Sequence, residues 1–163
     1  VIGIDLVDLS AAALESNPFR KGYLNKVFSA EEQTLILDYV EPSKMVWVLW
    51  SMKEAVYKIC SNELSLRIFA PIDIQCSITN LSKDSAEGKV CAYNEFYFTQ
   101  TMTFSNYIYS LAAKQKTKLQ DIEVRLYPYP ATFDYHATTP QSISHHGGHL
   151  ALAYYSYPLP IDC

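Results

Sequence analysis

The first apolar run of the chain, "VIGIDLVDL", is continuous and rich in β-branched residues, the pattern of a buried strand. Ser10 is positioned to cap a short helix over "AAALES", which must stop before Asn17-Pro18, since a residue preceding proline is pushed out of the α region. In "FSAEEQTLILDYV", Ser29 and Glu32 have the S-x-x-E spacing of a capping box and start a second helix. A third, longer helix is predicted over "EPSKMVWVLWSMKEAVYKIC", with Pro42 in the turn before it and Ser43 as its N-cap. On it Met45, Leu49, Met52, Val56 and Ile59 recur at helical spacing, one apolar stripe that should face a core.

Past Asn62 the rhythm changes. "LSLRIFAPIDIQCSI", "KVCAY", "FYFTQTMTF" and "NYIYSLAAK" read as strands separated by polar or glycine-containing turns. The connector "QKTKLQD" leads to a strand "IEVRLY", a structureless, proline-bearing stretch around residues 128–141, and a last strand "GHLALAYYSY". Early helices followed by strands give an α+β fold, with helices packed on one face of a mostly antiparallel sheet.

Composition narrows the class. A length of 163 residues is most simply one domain, and 49% hydrophobic with 18% charged residues is ordinary for a soluble globular chain. No apolar run reaches the roughly 18 residues of a membrane span, so no membrane partner is expected. Thirteen basic against seventeen acidic residues, a formal charge of -4, argue against a nucleic-acid binder but allow a local basic pocket for a small polyanion. Cys60, Cys76, Cys91 and Cys163 are widely spaced with no CxxC pattern, which argues against a disulfide framework or zinc site and points to a reducing cytoplasm.

Candidate chemistry begins opposite the stripe of the third helix. There Glu54 has Trp47, Trp50 and Lys58 nearby, and two tryptophans imply a face that is covered or lines a cleft. Alone, Glu54 and Lys58 also read as an i,i+4 pair worth a few tenths of a kcal/mol. Asp5 and Asp8 lie in apolar sequence, where two carboxylates repel unless they are exposed, cap a helix or share a cation. On an unbroken strand they would point to opposite faces, so convergence requires a turn after about Leu6. With that turn, Asp5, Asp8 and Glu54 form an all-oxygen site suited to Mg²⁺; without it, the aspartates are solvated turn residues.

"GIDLVD", then "FSAEE", then "WSMKEAVYK" resemble, in order and spacing, the 4′-phosphopantetheinyl transferase superfamily, whose signature is a G-(I/V)-D strand followed by a (W/F)-(S/A/T)-x-K-E-(A/S)-x-x-K helix. The likeness is close over residues 2–60 and looser over 61–114, which divides the single expected domain into a core unit, 1–114, and a C-terminal extension, 115–163. It implies Mg²⁺-dependent transfer of the phosphopantetheine arm of coenzyme A to a serine of an acyl or peptidyl carrier protein, in the manner of a holo-acyl-carrier-protein synthase. Asp5 and Glu54 inherit the role of metal ligands. Asp8 stands where the small branch of the family has a glutamate, and Val7 where the larger branch has one. Lys53 and Lys58 map onto lysines that meet the phosphates of coenzyme A, with Glu54 and Lys58 as the catalytic pair. "SISHHGGHLALAYY" is similar to a further family segment and implies that Ser144 and His145 contact the 3′-phosphate side of coenzyme A.

Some readings stay open at this point. His145, His146 and His149, beside Gly147-Gly148, could form a phosphate-contact loop, a metal site or an ordinary loop. Arg20, Lys21 and Lys26 could dock an acidic carrier protein or be solvated loop residues. The site could be completed within one chain or across a homo-oligomer. The competing functions are a non-catalytic relative that binds coenzyme A or a carrier protein, and an unrelated Mg²⁺-dependent phosphohydrolase. No glycine follows the lysine helix until Gly88, where the family usually has a glycine-containing turn; Asn62 is the residue there that tolerates a left-handed backbone.

Overall fold

A computed structural model describes residues 1–156. Strand β1 (Ile2–Asp8) leads into α1 (Leu9–Glu15), α2 (Tyr23–Val27), α3 (Ala30–Asp38) and the long α4 (Pro42–Leu64). Strands β2 (Gln75–Leu81), β3 (Ser85–Ala92), β4 (Glu95–Thr103) and β5 (Tyr107–Ala113) follow, then β6 (Ile122–Pro128), β7 (Ser142–His146) and β8 (His149–Tyr155). All pair antiparallel, in one sheet of order β1-β5-β4-β3-β2 and a second of order β6-β8-β7. The α+β class expected from the sequence is therefore the observed one.

The α4 stripe faces inward as its spacing requires: Met45, Leu49, Met52, Val56 and Ile59 are all fully buried, against Val7, Val90, Tyr97, Ile108 and Ala112 of the large sheet. The other face of β1 is covered by the second sheet, where Ile2, Ile4 and Leu6 pack with Leu111, Ala151 and Ala153. Gly3 is what lets α4 lie so close to β1, since a β-carbon there would collide with the Ala55 carbonyl.

Several local expectations shift. Asp8, not Ser10, caps α1, its carboxylate accepting from the Ala11 N–H at 3.0 Å. Pro42 is the first residue of α4, where its missing N–H costs nothing, and Glu41 is the N-cap in place of Ser43. The strand read over 64–78 begins only at Gln75; α4 runs on to Leu64, and Ser65, not Asn62, takes the left-handed conformation at its end. The "SISHH" segment is a strand, not a loop. Helix α2 and a 3₁₀ turn at His136–Thr138 were not anticipated. Tyr157, the end of the last expected strand, and Cys163 lie outside the described residues; Cys60, Cys76 and Cys91 are free thiols.

The capping box of α3 is present and does more than cap. Glu32 accepts from the Ser29 N–H at 2.8 Å, from the Cys76 N–H at 2.7 Å and from the Lys53 ammonium at 2.9 Å, which ties α3, α4 and β2 together. Lys53 also donates to the Pro71 and Ile74 carbonyls, and both side chains of this pair are buried. Removing one partner strands the other charge in the interior. Lys53→Met, at nearly constant volume, is expected to destabilise the fold by ~3–5 kcal/mol in urea unfolding at pH 7. A loss below ~1 kcal/mol, the scale of an exposed ion pair, would contradict this.

Candidate active site

Three elements converge on one cleft: β1 supplies Asp5, α4 supplies Trp47, Trp50, Glu54 and Lys58, and β7 supplies Ile143 to His146. The cavity is about 740 Å³, within the roughly 300–1,000 Å³ of small-molecule sites. Arg20, Tyr23, Tyr135 and His136 complete its rim.

The convergence follows from strand parity. Gly3, Asp5 and Val7 face α4, whereas Ile2, Ile4, Leu6 and Asp8 face the second sheet. β1 runs straight through Asp8, so the turn after Leu6 that would have brought the two aspartates together does not form. Asp8 instead points at the β7–β8 turn, accepting from the Gly148 N–H and from His149, each at 3.0 Å. Gly147, with φ +54°, is needed there because a β-carbon would collide with that carboxylate. Burial works against the Asp8 charge, but its hydrogen bonds from Ala11, Gly148 and His149 prevail and hold its pKa down at about 2. Asp8 is thus a structural clasp on the far side of β1, and does not line the cleft.

Asp5 is in a different state. Burial pushes its carboxyl up, opposed by the Lys58 ammonium at 3.2 Å and the Ser144 hydroxyl at 3.2 Å. Glu54 is raised to about 7, first by burial and then by the Asp5 charge, with Lys58 opposing both. No hydrogen bond to Glu54 from the other described residues is among the causes of its shift. Two carboxylates therefore share a half-dry cleft with a single nearby ammonium.

That ammonium is fully engaged. Lys58 donates to the Ile4 carbonyl at 2.7 Å, the Ile143 carbonyl at 3.2 Å and Asp5 Oδ1, which uses its three protons to join α4, β1 and β7. Its side chain is still 29% exposed on the cleft wall. Lys53, by contrast, is turned away from the cleft into the Glu32 network, because a charge on the buried side of α4 needs a buried partner. Ser144 is 6% exposed, accepting from the Leu6 N–H at 3.0 Å. His145 lines the cleft and stacks on Tyr129 at 4.2 Å. His146 accepts the Asp8 N–H through Nδ1, which leaves Nε2–H to donate to Glu15 at 2.8 Å. The three histidines of the β7–β8 hairpin are thus divided among three environments: His145 on Tyr129, His146 between Asp8 N–H and Glu15, and His149 on the Asp8 carboxylate. Among the described residues no group of three or more His, Cys, Asp or Glu side chains is gathered tightly enough to hold a metal alone.

A family model described as the 4′-phosphopantetheinyl transferase superfamily matches residues 1–113. The chain belongs to the 4′-phosphopantetheinyl transferase superfamily. No curated protein matches it. Phosphopantetheine transfer is the chemistry of that superfamily, and the matched segment ends at the last residue of β5. The wall formed by Tyr135, His136 and β7 therefore lies beyond the transferase-like match and is contributed by the same chain. Tyr135 and His136 were missed by reading residues 128–141 as structureless. The only local signal was Asp134, whose side chain accepts the His136 N–H and turns the chain there. No helix among the described residues is long and apolar enough to cross a membrane.

The raised Glu54 carboxyl makes the stability of the metal-free protein depend on pH. A carboxyl near 7 in the fold and 4.5 in the unfolded chain retains a proton on folding, so stability is full below about 4.5 and is lost as pH rises through about 7. Glu54→Gln, a permanent mimic of the protonated form, should leave the melting temperature unchanged near pH 4.5 and raise it at pH 8 by about 2–4 °C. A difference from the parent that is the same at both pH values would contradict this.

Proposed function

We propose that this chain transfers the 4′-phosphopantetheine arm of coenzyme A to a serine hydroxyl of an acyl or peptidyl carrier protein, with release of adenosine 3′,5′-bisphosphate, using Mg²⁺. The observation that carries this reading is the pair Asp5 and Glu54, directed into one cleft with their charges incompletely neutralised, in a chain of this superfamily. Two carboxylates with room for waters and substrate phosphates suit Mg²⁺, which is reluctant to shed its hydration shell and rarely uses an all-protein cage. The residues present thus fit the ion without Asp8. Bound there, the ion would supply charge neutralisation to a diphosphate.

The chain's own residues do the remaining work. Trp47 and Trp50 give the cleft an apolar wall on the α4 side, and a charge interaction beside such a wall is stronger than in open water. Lys58 offsets the carboxylates, and Arg20, His136 and His145 offer donors at the rim for phosphate oxygens. The carrier serine loses its proton to Glu54, the cleft carboxylate that no hydrogen bond among the described residues engages. The serine oxygen forms a bond to the β-phosphorus of coenzyme A as the bond to the bridging oxygen breaks, and that oxygen leaves with the nucleotide as its α-phosphate. Positioning and charge neutralisation supply most of the acceleration in such phosphoryl transfers. Because β7 is in the same chain, that wall of the cleft is supplied in cis.

One competing reading has an observation in its favour. The saturation of Lys58 by three protein acceptors, with Lys53 turned away, fits a relative that binds coenzyme A or a carrier protein without transferring anything. Mass spectrometry separates the two. Incubation with coenzyme A, Mg²⁺ and a panel of apo carrier proteins should add the phosphopantetheine mass to a carrier serine, and Glu54→Gln should lower that rate by about 10²-fold or more. Binding of coenzyme A with every carrier left unmodified would favour the binder, and a folded Glu54→Gln at full rate would remove Glu54 from the mechanism.

A further inference from the structure

β1 is an edge strand of the large sheet, and its outer N–H groups face no neighbouring ladder. Every second side chain of β7 meets one of them. Ser142 Oγ accepts from Ile4 N–H, Ser144 Oγ from Leu6 N–H and His146 Nδ1 from Asp8 N–H, each at 3.0 Å. The polar alternation of "SISHH" is thus a side-chain substitute for a strand ladder. Within it Ser144 differs from Ser142. A hydroxyl has one proton, and with its lone pair on Leu6 N–H the Ser144 proton goes to Asp5 Oδ1 at 3.2 Å. Lys58 donates to the same Oδ1. Both donors hold one oxygen of Asp5, and the hydrogen bonds found among the described residues leave Oδ2 free.

We propose that Ser144 is a positioning residue for the transfer reaction, fixing the rotation of the Asp5 carboxylate so that Oδ2 is presented to the cation, and is not itself a contact for coenzyme A. The proposal rests on the reading of Asp5 as a ligand of Mg²⁺. Its burial supports the role, since a serine 6% exposed whose hydroxyl has both functions engaged has little to offer a substrate phosphate. Partners that orient a ligating carboxylate are commonly worth about 10–100-fold in metal affinity.

Ser142→Ala is the matched control, because it deletes a β1 contact of the same kind with no bond to Asp5. Calorimetric titration of the full chain with Mg²⁺ should show affinity about 10-fold weaker in Ser144→Ala and within about 2-fold of the parent in Ser142→Ala. Ser144→Thr, which keeps the hydroxyl, should restore affinity, and the KM for coenzyme A at saturating Mg²⁺ should be unchanged in all three. Should the alanine variant not fold, Ser144→Cys, with a weak S–H donor, takes its place and should fall between alanine and the parent. Equal Mg²⁺ affinities for Ser144→Ala and Ser142→Ala, or a rise in the KM for coenzyme A alone, would overturn the positioning role while carrier labelling by the parent stood. A parent chain that neither bound Mg²⁺ nor labelled a carrier would overturn the function itself and this inference with it.

Discussion

A carboxylate taken out of water must find a counter-charge, and the arrangement of this chain follows from meeting that demand at Asp5. The residue is carried on a strand buried on both faces, with Glu54 of α4 lining the same cleft and one ammonium, Lys58, paired to Asp5 at 3.2 Å. Lys58 can serve only because α4 lies against β1, which the absence of a side chain at Gly3 allows, and because β7 brings the Ile143 carbonyl to its third proton. One cation against two carboxylates leaves an electrostatic deficit on the cleft side. A divalent ion with a diphosphate is the kind of ligand that would close it.

The contrast with Asp8 shows how environment divides two similar residues. Asp8 has a helix N-terminus, a glycine N–H and a histidine as partners, and its pKa is held down at about 2. Such a group is satisfied where it is and gains little from a cation. Asp5 and Glu54 are both raised, the state expected of carboxylates awaiting a partner. Strand parity sends the two residues to these different partners, since residues three apart on a continuous strand face opposite ways.

Features governed by local rules were legible in the sequence: the α4 stripe by its spacing, the capping box of α3 by the Ser29 and Glu32 pair, the α+β class by the order of its elements. The cleft face of α4 was legible because Trp47 and Trp50 have no place on a solvated surface. What escaped depends on distant partners. Lys53 and Lys58 belong to one motif, and their distant partners divide them: Glu32 claims the first and Asp5 the second. Whether the strand ended at Leu6 or at Asp8 was decided by Ala11, Gly148 and His149 accommodating the second aspartate. The polar alternation of Ser142, Ser144 and His146 was visible, but its meaning required knowing that an edge strand lay beside it.

The claim beneath all of this is that Asp5 and Glu54 present their free oxygens to one divalent ion. Manganese occupies magnesium sites and scatters anomalously, so a crystal of the full chain soaked with Mn²⁺ and coenzyme A reads the position of the ion directly. The account predicts a single anomalous peak bridging Asp5 and Glu54 in the cleft walled by Trp50 and β7. A peak on Asp8 and His149, or none near Asp5 while coenzyme A is bound, would contradict it.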